Sequence, residues 1–162
     1  MEHLWSPWRM NYISDTTPPD GCFFCEALKQ EDSAQTLLVE RAEHAFVILN
    51  RYPYTSGHLM VVPYAHVPSI DQLTPECRAE IMELLNRAIA VLTAVYKPEG
   101  FNMGANIGAI AGAGVPGHVH FHIVPRWAGD TNFMTAVAQT RVLPEALEQT
   151  YQRLYDAWHQ KP

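Results

Sequence analysis

The sequence predicts an α+β domain built on a five-stranded antiparallel sheet with two main helices. Three observations carry that expectation. Short runs rich in β-branched and aromatic residues come as a group of three and then a pair, and each group is followed by a stretch of helical period. Strands that succeed one another without an intervening helix pair antiparallel, which argues against alternating parallel units. The composition, 48% hydrophobic and 17% charged over 162 residues, is that of one globular domain spanning residues 1–162.

The elements follow in chain order. Residues 1–35 mix Trp5, Pro7, Trp8, Tyr12, Pro18 and Pro19 with the pair Cys22-Phe-Phe-Cys25 and show no period, so they read as an irregular arm. "TLLVE" (36–40) and "AFVIL" (45–49) are separated by four polar or small residues, as a hairpin requires. "NRYPYTSG" (50–57) is a loop broken by Pro53 and Gly57, and "HLMVVP" (58–63) is the third strand. Thr74-Pro75-Glu76 opens a helix, with an N-cap oxygen and a proline at the first helical position. Ile81, Leu85, Ala88, Leu92 and Val95 keep helical spacing until Pro98 and Gly100 stop it. "FNMGANI" (101–107) reads as a strand, "GAIAGAGVPG" (108–117) as a glycine-rich turn, and the segment from His118 as the strand that returns to pair with it. Leu147, Tyr151, Leu154 and Trp158 mark the second helix, with Pro144 early in it.

Charge and length narrow the function. A formal net charge of −6 argues against broad electrostatic binding of nucleic acid, although a few local donors can still hold a small anion. No apolar run approaches the ~20 residues that a membrane span needs. The start Met1-Glu2-His3-Leu4-Trp5 lacks the basic segment and apolar core of a signal peptide. Three cysteines, an odd number, do not make a disulfide framework and suit a reducing compartment, so a cytoplasmic location is expected.

The chemistry concentrates in "GHVHFHIVP" (117–125). On an ideal strand His118, His120 and His122 share one face while Val119, Phe121 and Ile123 pack on the other. Two readings compete: three imidazoles chelating one metal, or one imidazole acting as a nucleophile that its neighbours support. A nucleophilic ring needs one neutral nitrogen aimed at an electrophile and the other nitrogen held by an acceptor. With phosphorus as electrophile the intermediate is a phosphoramidate. The glycines at 108, 112, 114 and 117 would let backbone N–H groups approach phosphate oxygens.

His118-Val-His120-Phe-His122-Ile-Val124 resembles the signature of the histidine triad (HIT) family of nucleotidyl hydrolases and transferases. "LNRYPYTSGHLMVVPYAHV" (49–67) is similar to that family's other conserved block. "PRWAGDTNF" (125–133) and the arm "LWSPWRMNYI" (4–13) resemble its diadenosine polyphosphate phosphorylase-like branch, and the likeness covers nearly the whole chain. The resemblance implies a HIT-like fold, a homodimer, and roles by position. His120 would take the nucleotidyl group, and His122 would contact the phosphate and orient His120. His58 would sit beside the triad. Asn50 would bind the ribose, Asn106 would reach the phosphate or leaving group, and Gly114 and Trp127 would contact the nucleotide. The chain departs from many relatives in the turn Ala113-Gly114-Val115-Pro116-Gly117, which has no side-chain donor where they place Gln or Ser.

A lone Cys-x-x-Cys is redox-active, metal-binding or incidental, and this one lies in the arm rather than at the helix start a thioredoxin-like motif prefers. The resemblance to zinc-containing relatives completes a Cys2His2 set of Cys22, Cys25, His66 and His118, a closed structural site. Strict alternation puts His118 on the face of His120, where a metal would crowd the catalytic ring. Cys77 reads as packing. Trp5, Trp8 and Tyr12 read as packing rather than base stacking, and Arg126 either contacts ligand or pairs with a surface carboxylate. Asp130 and Asn132 rest on the branch resemblance alone.

The expected function is nucleotidyl transfer through His120 on an adenine dinucleotide, diadenosine tetraphosphate by the branch likeness, with inorganic phosphate or water as acceptor. The alternatives are a nucleoside phosphoramidase, a non-catalytic nucleotide-binding or zinc-stabilised interaction protein, and a metalloenzyme whose triad holds a catalytic zinc.

Overall fold

Continuous apolar runs such as Ala45–Leu49 and Leu59–Pro63 cannot leave one face in water, and both are buried at every position. They are β2 and β3, the inner strands of the sheet. The computed structural model describes residues 21–130 and 145–160. Among them β1 (Leu38–Arg41), β2 (Ala45–Leu49), β3 (Leu59–Pro63), β4 (Gly100–Gly104) and β5 (Phe121–Arg126) form one antiparallel sheet in the order β1-β2-β3-β5-β4. The helices are α1 (Phe23–Ala27), α2 (Pro75–Tyr96) and α3 (Leu147–His159). The five-stranded sheet and the two main helices agree with the α+β expectation.

Register sorts the side chains. Met60 lies opposite His122 and Ile48 opposite Met60, so these three share one face; Leu59 opposite Ile123 and Leu49 opposite Leu59 define the other. α1 reaches the first face through Phe24, whose ring meets Phe46 edge-on at 6.5 Å between centroids. α2 packs across β2, β3 and β5, and α3 packs on α2 and β1. Gly57, with φ +82°, belongs to this layer: a Cβ there would stand 2.9 Å from Leu92 Cδ2.

α2 has the expected start, since Thr74 Oγ1 accepts from the Cys77 amide and Pro75 occupies the first turn. It ends with Lys97 in the left-handed region, whose N–H returns to the Thr93 carbonyl. Glu80, one turn in, receives the amides of Glu43, His44 and Ala45 at 3.0, 2.6 and 2.9 Å, which pins the β1–β2 turn to the helix.

Several boundaries differ from the sequence reading. The arm is not irregular throughout, because burial of Phe24 and Ala27 folds Phe23–Ala27 into α1. β1 starts at Leu38 rather than residue 36. Thr36 is engaged with Ser33 and Glu31 in the preceding turn, and Leu37 has φ +64°. β4 stops at Gly104 rather than 107. Its partner chain ahead of Phe121 is drawn away, the Val119 amide donating to the Val67 carbonyl at 2.7 Å. For the same reason β5 starts at Phe121, leaving His118 and His120 outside the ladder. Pro144 and the aromatic arm residues Trp5, Trp8 and Tyr12 lie outside the described residues, as does Asn132.

β1 is an edge strand with a bulge between Leu38 and Glu40, and α3 covers it. The Tyr151 hydroxyl donates to the Leu38 carbonyl at 3.0 Å, and His159 Nε2 to that of Val39 at 2.9 Å. β4, the opposite edge, carries exposed Asn102, Met103 and Gly104. No helix among the described residues is long and apolar enough to cross a membrane.

Two stability effects follow from these contacts. Glu80→Gln replaces one accepting oxygen by a donor that faces backbone amides, and should lower unfolding free energy by about 2 kcal/mol in urea titrations. An unchanged midpoint would remove the clamp from this account. Burial pushes the Tyr151 phenol up to about 12. It also raises Tyr96, which donates to Glu145 at 2.6 Å. Both hold their protons more tightly folded than unfolded, so their stabilisation is complete below about pH 10, the ordinary phenol value, and drains away above it. Urea midpoints should therefore fall as pH climbs from about 10 toward 12, with a shallower fall in Tyr151→Phe. Parallel pH profiles would exclude Tyr151 as a source.

Candidate active site

The glycine-rich turn delivers the chain to β5 through backbone shapes that side chains resist, with Gly108 and Gly112 at φ +86° and +91°. After it come the three histidines, and the structure separates their surroundings. Only His122 lies within β5. The His118 ring turns toward His66, 4.9 Å between centroids, and the His120 ring toward His122, also 4.9 Å. The single shared face expected of an ideal strand is therefore not formed, because His118 and His120 precede the ladder. The crowding expected between a metal on His118 and the ring of His120 is relieved in the same way. Phe24 contacts both rings, at 5.4 Å from His118 and 5.0 Å from His120.

Hydrogen bonds fix the tautomers. His120 Nδ1 lies 2.9 Å from the carbonyl oxygen of His118, which can only accept, so Nδ1 carries the proton and Nε2 the lone pair. Burial holds the His120 ring below the usual imidazole range, against a smaller opposite pull from that carbonyl. The ring is neutral at pH 7. The Tyr54 amide donates to His58 Nδ1 at 3.2 Å, which leaves the His58 proton on Nε2. That nitrogen is 3.0 Å from His122 Nδ1, so the His122 proton sits on Nε2. One ring offers a lone pair and its neighbour an N–H.

His120 and His122 border a cavity of about 540 Å³, its open mouth included. Phe23, Phe24, Tyr52, Tyr54 and Met60 form apolar and aromatic walls, while Asn50, Gly112 and Gly114 supply polar edges. Such a mixture of apolar wall and few polar groups is typical of small-molecule sites. Asn50 is held in place, its Oδ1 accepting from the Tyr52 amide and its own N–H bonding the His58 carbonyl, both at 2.9 Å.

The remaining residues singled out by sequence fall as follows. His58 is fully buried behind His122 and is not itself a wall of the cavity. Asn106 does not border it either; its Nδ2 donates to the Gly112 carbonyl at 3.4 Å and braces the turn. Trp127 lies outside the cavity wall at the end of α2, its indole N–H pointing to the Tyr96 carbonyl at 3.4 Å. Arg126 makes a two-pronged ion pair with Asp130 and also donates to Asn102. Cys77 is buried at the start of α2, where it packs.

Sequence reasoning overlooked Phe23, Phe24, Tyr52, Tyr54 and Met60 as walls of the cavity, while Gly112 was expected near the phosphates. A signal for the first two existed: if Cys22 and Cys25 come to His118, the residues between them come to its neighbour His120.

Cys22, Cys25, His66 and His118 converge, with their donor atoms within 4.8 Å of one another. Cys22 Sγ is 3.3 Å from His118 Nδ1, Cys25 Sγ is 3.3 Å from His66 Nδ1, and Cys25 Sγ is 3.7 Å from His118 Nδ1. Ions with metal–sulfur and metal–nitrogen bonds of about 2.3 and 2.0 Å, held tetrahedrally, need ligand separations of about 3.3–3.8 Å, which these three Cys–His separations match, so the donor set suits one once its widest spacing closes. His118 is prepared as a ligand, because its Nε2–H donates to the Pro63 carbonyl at 2.8 Å and leaves Nδ1 facing the sulfurs. Burial and the neighbouring Cys22 push the Cys25 thiol up, a tension that a cation between the sulfurs would relieve.

Comparison with known proteins agrees with this geometry. The family model described as "HIT domain" matches residues 31–129. An AP-4-A phosphorylase of Mycobacterium tuberculosis is 38% identical over 170 residues, covering 100% of this chain and 87% of that protein. The adenosine 5'-monophosphoramidase of Schizosaccharomyces pombe is 33% identical over 106 residues, covering 65% of this chain and 74% of its own. The crystal structure of a Zn-bound histidine triad family protein from Mycobacterium smegmatis superposes with a TM-score of 0.67 at 26% identity, over 85% of this chain and 93% of that one. A neutral imidazole at an aromatic cavity, the triad spacing and these matches lead to one assignment: the chain belongs to the HIT domain family of nucleotidyl enzymes.

Proposed function

We propose that the chain cleaves a dinucleoside polyphosphate, diadenosine tetraphosphate for preference, by covalent nucleotidyl transfer to His120. The observation that carries this reading is the tautomer lock on His120, whose unprotonated Nε2 belongs to a ring bordering the aromatic cavity. In the first step Nε2 attacks the α-phosphorus, a P–N bond forms, and the bond to the bridging oxygen breaks. His122 Nε2–H donates to the phosphate oxygens and supports the departing ATP. In the second step inorganic phosphate takes the adenylyl group to give ADP and frees His120. Water in its place gives AMP. The likeness to the Mycobacterium tuberculosis phosphorylase favours phosphate.

Within this reading Asn50 binds the ribose. Gly114 presents backbone to the phosphates, beside Gly112, in a turn that Asn106 braces. Trp127, whose indole N–H points to the Tyr96 carbonyl, would meet the nucleotide from outside the aromatic cavity wall. Zinc is the ion that suits Cys22, Cys25, His66 and His118. Four protein ligands leave no open position, so it supplies structure rather than activation of water. A homodimer is supported by the open edge of β4, where Met103 is 47% exposed, and by Ile107 just beyond the strand, 44% exposed. Cys22, Cys25 and Cys77 are thiols outside any disulfide, which favours a cytoplasmic setting.

A phosphoramidase is the second reading, favoured by the likeness to the Schizosaccharomyces pombe enzyme. Incubation with diadenosine tetraphosphate should yield ADP and ATP only when phosphate is present, with adenosine phosphoramidate turned over far more slowly. The reverse preference would replace the first reading by the second. His120→Ala should lose at least about a thousandfold in kcat and form no acid-labile adenylyl adduct. An adduct that survives in this variant would move the nucleophile elsewhere.

A further inference from the structure

We infer that the Cys22–Cys25 turn makes the nucleotide cavity metal-dependent: ion binding and nucleotide binding are positively linked through Phe24. The inference rests on the nucleotide reading of the cavity. Phe23 and Phe24 lie between two metal ligands in the chain, and both border the cavity of His120. The loop that an ion would close is thus also a wall of the site.

Phe24 is 2% exposed and touches both sides of the arrangement. Its ring meets the ligand His118 edge-on at 74° and lies tilted at 51° to the nucleophile His120. The turn has little to hold it locally. α1 is five residues long, and its N-cap Cys22 makes no side-chain capping bond. A helix this short is unstable by itself, so tertiary tethers set its position. At the C-terminal end the Arg41 guanidinium, on the Leu28 and Gln30 carbonyls, and buried Ala27 hold the turn; at the cysteine end the tethers would be the ion and the packing of Phe24. Without the ion the turn loosens and the cavity loses a wall. A nucleotide packed on Phe24 in turn holds the cysteines in chelating position. Linkage requires both effects to share one factor.

The test measures zinc affinity by competition with a chromogenic chelator, with and without saturating AMP, and AMP affinity by calorimetry on zinc-loaded and stripped protein. AMP should tighten zinc about tenfold, and stripping should weaken AMP by the same factor. Phe24→Ala removes no ligand, so it should still bind zinc while the factor falls toward one, with Phe24→Leu in between. Equal AMP affinity in both forms, or full coupling in Phe24→Ala, overturns the linkage and leaves the nucleotide reading standing. AMP that fails to bind even the loaded protein overturns both. Circular dichroism accompanies stripping: a retained helical signal supports a local effect. Wholesale loss of that signal overturns it, since an unfolded chain releases AMP for reasons unrelated to Phe24.

Discussion

The site depends on one residue that faces two ways. The carbonyl of His118 accepts the Nδ1 proton of His120, and the ring of His118 turns instead to the cysteines and His66. Because main chain and side chain leave the same Cα, the tautomer of His120 and the Cys–His cluster cannot be positioned independently. The Pro63 carbonyl at the end of β3 completes the fixation by taking the Nε2 proton of His118. A strand end, a glycine turn and a cysteine turn are thereby tied at one point, and the unprotonated nitrogen of His120 inherits its direction from all three.

Burial explains how an acidic protein can handle an anion. The chain carries a formal net charge of −6, and no Lys or Arg is among the described residues that border the cavity. Arg126 is committed to Asp130, and Arg51 donates to the Gln35 carbonyl. Phosphate oxygens would therefore meet neutral donors, imidazole N–H and the backbone of the glycine turn. This is consistent with the chemistry of His120. A guanidinium set among Phe23, Phe24, Met60 and the tyrosine rings would be costly to desolvate. The walls that exclude it also suppress the protonated form of the imidazole, which would have no lone pair to offer.

The parts of the structure legible in the sequence are those that local physics decides. β2 appears at its expected bounds because an apolar run between turn residues has few alternatives. α2 starts where Thr74 and Pro75 place it, since capping is local. The four ligands Cys22, Cys25, His66 and His118 were named by likeness, and they converge. The misses have tertiary causes. Alternation assumed that all three histidines lie in the ladder, but a bond from Val119 to Val67, far away in sequence, takes the chain off that course. α1 has too few residues to announce itself by period. Trp127 and Asn106 have partners that the sequence does not show, the Tyr96 and Gly112 carbonyls. The aromatic wall is not legible because nothing local in Cys22-Phe-Phe-Cys25 says which side chains Phe23 and Phe24 meet.

Two identical imidazoles with opposite tautomers stand 4.9 Å apart, and what distinguishes them is the backbone group each chain of bonds ends on. For His120 the terminus is a carbonyl, which draws the proton to Nδ1 and leaves Nε2 as donor of electrons. For His122 the terminus is the amide of Tyr54, acting through His58, and that amide forces the proton outward to Nε2 at the end of the relay. A carbonyl cannot donate and an amide N–H cannot accept, so neither assignment can invert without breaking a bond in the buried interior. His58, the link between that amide and His122, is fully buried. The polarity of the site is thus fixed by main-chain atoms of the 50–57 loop and of the segment entering β5, before any substrate arrives.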